Sequence, residues 1–200
     1  MKITDIKQQV KRDDRYSVFG DGKYVFSLSE AELLSLGLKI GQEFDKEELE
    51  ELKNKAVLDK AYDRCLNLIM RRPRSEWEIR GYLKRKDYDS QTTEAVVDRL
   101  SGAGYIDDLN FAARWVENRR LLKSTSKRKL ILELRQKRVA DEIIQQVLEA
   151  DETDEREVLR ELIAKKSQQS RYQDKQKLIA YLSRQGFNYS DIKAVLHEPN

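Results

Sequence analysis

The sequence predicts a mainly α-helical chain of three tandem three-helix repeats in an elongated curved array, with a small N-terminal β-hairpin and helix module. Three observations carry this reading. An apolar pattern recurs along residues 53–200, a polar cap precedes each copy, and the chain is 38% charged against 39% hydrophobic. So charged a chain gives each helix one apolar stripe and a broad solvated face. Stacked repeats, which bury those stripes largely against their neighbours, suit it better than one large core.

The first 28 residues carry strand signals. Arg15–Phe19 and Lys23–Ser27 flank Gly20-Asp21-Gly22, a reversal suited to a hairpin, and Ile3–Val10 is a candidate third strand. Ser29-Glu30-Ala31-Glu32 has the form of a capping box and opens a short helix ending near Gly37. Asp45-Lys46-Glu47-Glu48 repeats the signature and opens another helix. Residues 1–52 are therefore expected to form one module, followed by repeats at 53–109, 110–152 and 153–200.

The repeats align without gaps. Ser75–Leu83 falls on Ser126–Leu134 with a shift of 51, and that segment falls on Asp174–Leu182 with a shift of 48. Ile79, Leu130 and Leu178 then coincide, as do Leu83, Leu134 and Leu182. Further on, Tyr88 matches Val139 and Phe187, while Val96 matches Val147 and Val195. A cap followed by apolar residues four and eight positions later is one face of a helix. A turn with one buried apolar residue and a second helix complete the unit. A leading helix precedes each copy, over Leu58–Met70, Phe111–Leu122 and Val158–Lys166.

Composition narrows the function classes. The N-terminal stretch lacks the apolar centre of a secretory signal, and no segment approaches the roughly 18 apolar residues of a membrane span. The single cysteine, Cys65, excludes an internal disulfide and a cysteine-based metal cluster. These features point to a cytoplasmic chain, expected to be a monomer without a cofactor. The one histidine, His197, is near the end, and the Gly20–Gly22 turn lacks the lysine and helix of a phosphate loop. No catalytic constellation stands out, so an enzyme is not expected.

Arg72-Pro73-Arg74-Ser75-Glu76-Trp77-Glu78-Ile79-Arg80, then Gly104–Asp108, then Phe111–Trp115 resemble the RecX family in order and spacing. The three tandem units agree with that resemblance, which covers roughly residues 56–198; the N-terminal module resembles an extension found in some members. The resemblance implies a regulator that lies along the helical groove of the RecA filament. It also implies restraint of filament growth, strand exchange and ATP hydrolysis, with weak, non-specific DNA binding. One departure stands out: where the family often places glycine after the middle helix, this chain has Asp87 and Arg138, and only Gly186 keeps it. A left-handed cap costs a non-glycine residue about 1 kcal/mol, so those two turns are expected to close differently.

The candidate contact residues for RecA or DNA are basic. Arg71, Arg72 and Arg74 surround Pro73, where a structural account suffices: Pro73 stops a helix, and Ser75 with Glu78 caps the next. The net charge of +3 hides an excess of five cations within residues 110–150. There Arg119, Arg120 and Lys123 close one helix, which the helix dipole alone would favour. Lys127, Arg128 and Lys129 open the next, where positive charge is unfavourable, so a binding role is preferred. Arg135, Lys137 and Arg138 follow, with Lys84, Arg85 and Lys86 at the corresponding place one repeat earlier. A stand-alone DNA-binding module is the alternative, disfavoured by the small basic excess and the lack of a base-reading helix. Trp115, on an apolar stripe, is expected in the core, and packing is also preferred for Trp77, off the Ile79–Leu83 face. Cys65 is expected to be a buried thiol, and Asp107-Asp108 a helix cap rather than a metal site.

Overall fold

The computed structural model describes residues 1–198; residues 199 and 200, the end of the third segment, lie outside it. The chain divides into two compact units, Met1–Ile106 and a second from Asp107 onward.

The first unit opens with an antiparallel sheet of β1 (Ile3–Gln9), β2 (Arg12–Gly20) and β3 (Lys23–Ser29), in that order. Gly20 pairs with Lys23, so the hairpin turn is the two-residue step Asp21-Gly22. Their φ angles of 49° and 80° are the left-handed pair that matches the twist of two joined strands. The inner face, with Ile3, Val18, Phe26 and Leu28, buries against Leu52 and Ala56.

α1 (Glu30–Ser35) is capped by Ser29, whose hydroxyl oxygen accepts the N–H of Glu32. The expected reciprocal bond differs. The N–H of Ser29 donates to Asp59 at 2.7 Å, and its hydroxyl donates to the same carboxylate at 2.6 Å. Asp59 therefore does from the next helix what Glu32 was expected to do locally.

That helix, α2 (Lys46–Ile69), starts at the predicted Asp45–Glu48 capping box. It runs unbroken past residue 52, so the short helix and the leading helix of the first repeat are one element. Its early residues Leu52 and Ala56 cover the sheet, while Ala61 and Cys65 enter the core of the first repeat. Apolar burial pushes the Cys65 thiol up to about 12, far from reactive.

Arg15 fixes the sheet to α2. It is 3% exposed, pairs with Asp59 at 3.2 Å and with Asp63, and donates to the Ser27 carbonyl at 3.0 Å. Burial and the neighbouring Asp59 charge push the Asp63 carboxyl above its ordinary value, although Arg15 opposes them.

α2, α3 (Glu76–Lys84) and α4 (Ser90–Gly102) form the first three-helix bundle around Ile79, Leu83, Val96 and Leu100. In the second unit, α5 (Asp108–Leu122), α6 (Lys127–Gln136) and α7 (Asp141–Glu149) close on Leu130, Leu134 and Val147. α8 (Glu155–Ser167), α9 (Lys175–Arg184) and α10 (Tyr189–His197) close on Leu178, Leu182 and Val195. The positions aligned from sequence are thus the cores of three separate bundles. Ser75, Ser126 and Asp174 each accept a backbone N–H from the first turn of the helix they precede. Asp107 likewise caps α5, accepting the N–H of Asn110 at 3.0 Å.

The three turns after α3, α6 and α9 close alike, which corrects the expectation for two of them. Asp87 and Arg138 adopt φ of 59° and 57°, beside 93° at Gly186. In each, the carbonyl eight residues past the cap (Leu83, Leu134, Leu182) accepts an N–H from Tyr88, Val139 or Phe187. The apolar residue after the left-handed position packs into its own bundle, offsetting the roughly 1 kcal/mol of backbone strain at a non-glycine residue.

Candidate functional site

The candidate cations divide by what holds them. Arg72 donates to both carboxylate oxygens of Glu78, at 2.8 and 3.1 Å, and Arg74 approaches the same group at 3.9 Å. The pair reinforces the capping box of α3. Burial and nearby Arg72 push the Arg74 guanidinium below its ordinary value, and its buried Nε has no hydrogen-bond partner among the described residues. Arg71 is exposed beside them.

In the second unit, Arg119 donates to Glu133 at 2.6 Å and lies 4.5 Å from the Trp115 ring centre. The indole N–H of Trp115 donates to the same carboxylate at 2.9 Å. Trp115 is half-buried against the core, a packed residue with a polar edge, whereas Trp77 is exposed, contrary to the packing expected of it. In the first turn of α3, off the Ile79–Leu83 stripe, its ring has no core to enter.

Arg120 holds the end of the second repeat and reaches the start of the third, pairing with Glu155 at 3.5 Å. Its guanidinium donates to Asp151 at 2.7 and 2.9 Å and to the Thr125 carbonyl at 2.6 Å, with both side chains of the ion pair 10% exposed. Burial works to raise the Asp151 carboxyl, but hydrogen bonds from Thr153 and Arg120 and the Arg120 charge outweigh it, holding it below its ordinary value. Arg135 is exposed and donates to Asp141 at 2.8 Å. Lys137 is half-buried, 5.3 Å from the Trp115 ring centre.

The basic opening of α6 has a physical explanation that lies 28 residues away. Both carboxylate oxygens of Glu155 accept the backbone N–H of Lys127, at 2.9 and 3.1 Å. An acid from the third repeat thus supplies the negative charge that the start of α6 lacks. The Lys127 and Arg128 side chains remain exposed, as do Lys84, Arg85 and Lys86 at the end of α3, Lys123 after α5 and Arg138 in its turn.

Lys129 points elsewhere, donating to the Gln185 side-chain oxygen of the third repeat. With Lys123 it lines a cleft shared with Lys165 and Lys166. Those two lysines lie in the last turn of α8, where cations suit the helix dipole, and are not among the candidates the sequence singles out. Among the described residues, no group of three or more His, Cys, Asp or Glu side chains is arranged to hold a metal ion. No helix there is long and apolar enough to cross a membrane.

Three-helix bundles in tandem behind a small antiparallel sheet define a helical-repeat protein. The models that match the chain are the regulatory protein RecX N-terminal domain over residues 1–45 and the RecX first, second and third three-helix domains over residues 61–100, 107–148 and 153–196. A regulatory protein RecX from Listeria monocytogenes serovar 1/2a is 30% identical over 205 residues, covering 99% of this chain and 76% of its own. One from Bacillus subtilis is 30% identical over 201 residues, covering 98% and 76%. The chain belongs to the RecX family. Relative to the regulatory protein RecX of Listeria monocytogenes serotype 4a, matched at 36% identity over 74% of this chain, it spans about half (55%) of the relative's length. A crystal structure of regulatory protein RecX superposes with a TM-score of 0.74 at 28% identity, covering 98% of this chain and 99% of that one.

Proposed function

We propose that this chain regulates a RecA recombinase, binding the RecA nucleoprotein filament in its groove and restraining its growth, ATP hydrolysis and strand exchange. Family membership supports the recombinase as target. The observation that carries the contact surface is the state of Lys127 and Arg128: exposed side chains on a helix start whose dipole is already satisfied by Glu155. Their charge contributes nothing to α6 and is available to a partner. The exposed cations Lys84, Arg85 and Lys86 join them as contacts for acidic RecA surfaces or for the enclosed DNA. Arg120, and in part Arg72, Arg74 and Arg119, serve by holding the helices in place. The chain works as a non-catalytic cytoplasmic monomer in this reading.

Co-sedimentation with RecA filaments on single-stranded DNA tests it. The chain should pellet in proportion to filament and remain in solution with DNA alone at physiological salt. Equal retention by naked DNA would favour the stand-alone DNA-binding reading, in which phosphate contacts supply the affinity.

A further inference from the structure

The cleft between the second and third repeats brings together two pairs of lysines from different repeats, Lys123 with Lys129 and Lys165 with Lys166. It encloses about 220 Å³. Its wall also holds Glu133, whose carboxylate is already engaged by Arg119 and the Trp115 N–H, so it does not answer the lysines. Like charges gathered in one concavity repel, a cost that a bound anion would relieve.

The cleft is also held in shape. The Ser126 hydroxyl donates to the Gln185 carbonyl, and a Cβ on Gly186 would meet the Ser126 oxygen at 2.5 Å, so the α9–α10 turn seats directly on the start of α6. Lys129 is anchored to the Gln185 side chain. Lys166 lies 5.2 Å from the centre of the Tyr181 ring and 5.8 Å from that of Tyr172, and the two rings pack 4.9 Å apart, so an aromatic pair holds this lysine at the cleft wall.

We infer that this cleft binds the phosphodiester backbone of a single nucleic-acid strand. Compact ammonium groups act as point charges for phosphate, without the planar fork that favours carboxylate pairing. The inference deepens the DNA-contacting part of the proposed function. It is tested without RecA, so that its failure and the failure of the filament reading are told apart.

The experiment is fluorescence anisotropy with a labelled oligothymidylate across a salt series, comparing the parent chain, Lys165→Gln/Lys166→Gln, and a control, Lys55→Gln/Lys60→Gln on α2. The control removes the same charge from exposed positions of the first unit. The cleft variant should bind at least about tenfold more weakly, and its slope of log affinity against log salt should fall by about 1.4, at about 0.7 per phosphate neutralised on a single strand. Lys123→Gln reads the opposite wall should the double variant melt early. Equal losses in cleft variant and control would overturn the inference, as would failure of the parent chain to bind at low salt. Polyglutamate bound in place of the oligonucleotide would also overturn it, assigning the cleft to an acidic protein.

Discussion

Gly186 lies against Ser126: the turn carbonyl of Gln185 accepts the Ser126 hydroxyl, and no Cβ fits between them. Two requirements meet at this position, a φ of 93° and the contact with the cap of the neighbouring repeat. Gly186→Ala should therefore destabilise the second unit by about 2–4 kcal/mol, combining left-handed strain with overpacking. Urea unfolding followed by circular dichroism measures it; a change below about 0.5 kcal/mol would show that the turn moves away freely.

Arg15 and Asp59 are each almost fully buried, and they join the sheet to α2. Removing one member leaves a buried charge without its partner, so Arg15→Met should cost about 3–5 kcal/mol. Arg15→Met combined with Asp59→Asn, which removes the unpaired buried charge but keeps an acceptor for the Ser29 N–H, should cost less than Arg15→Met alone. Equilibrium unfolding of both variants checks this, and equal losses would contradict the account.

The Asp151 carboxyl gives a pH signature. Its folded value lies below the ordinary 3.8, so between the two values the unfolded chain holds more protons. The stability it contributes is fully present above pH 3.8 and is lost as pH falls through the folded value. Asp151→Asn should be less stable than the parent at neutral pH, with the gap narrowing below about pH 4. A gap unchanged down to pH 2 would mean that Arg120 does not favour the ionised form.

Arg128 and Arg120 should fail differently. Arg128→Glu changes an exposed side chain at the start of a helix and should alter stability by less than about 0.5 kcal/mol while weakening recombinase inhibition severalfold. Arg120→Met leaves Asp151 buried and should cost about 3 kcal/mol, losing inhibition only as it loses structure. Thermal melts read beside inhibition assays separate the two.

Much of the fold was legible because repeats write their cores at fixed offsets. Ile79, Leu130 and Leu178 align by counting, and each is the centre of a bundle. Caps were legible for the same reason, since Ser75, Ser126 and Asp174 act within three residues of themselves. What escaped was non-local. The partner of the Ser29 N–H is 30 residues away, and the acid at the start of α6 is 28 residues away. The left-handed turns at Asp87 and Arg138 escaped because residue preference there yields to packing of Tyr88 and Val139. Among the candidate cations, type and position could not distinguish Arg120, bound to Asp151, from Arg128, exposed to solvent. Lys165 and Lys166 join Lys123 and Lys129 only through the packing of one repeat on the next.

Regulation of a recombinase filament is read out by single-stranded-DNA-dependent ATP hydrolysis by the cognate RecA with this chain titrated in. Inhibition is expected well below one molecule per RecA, because blocking filament growth affects every subunit that would have followed. An unchanged rate at equimolar chain, with helical structure and DNA binding intact, would contradict it.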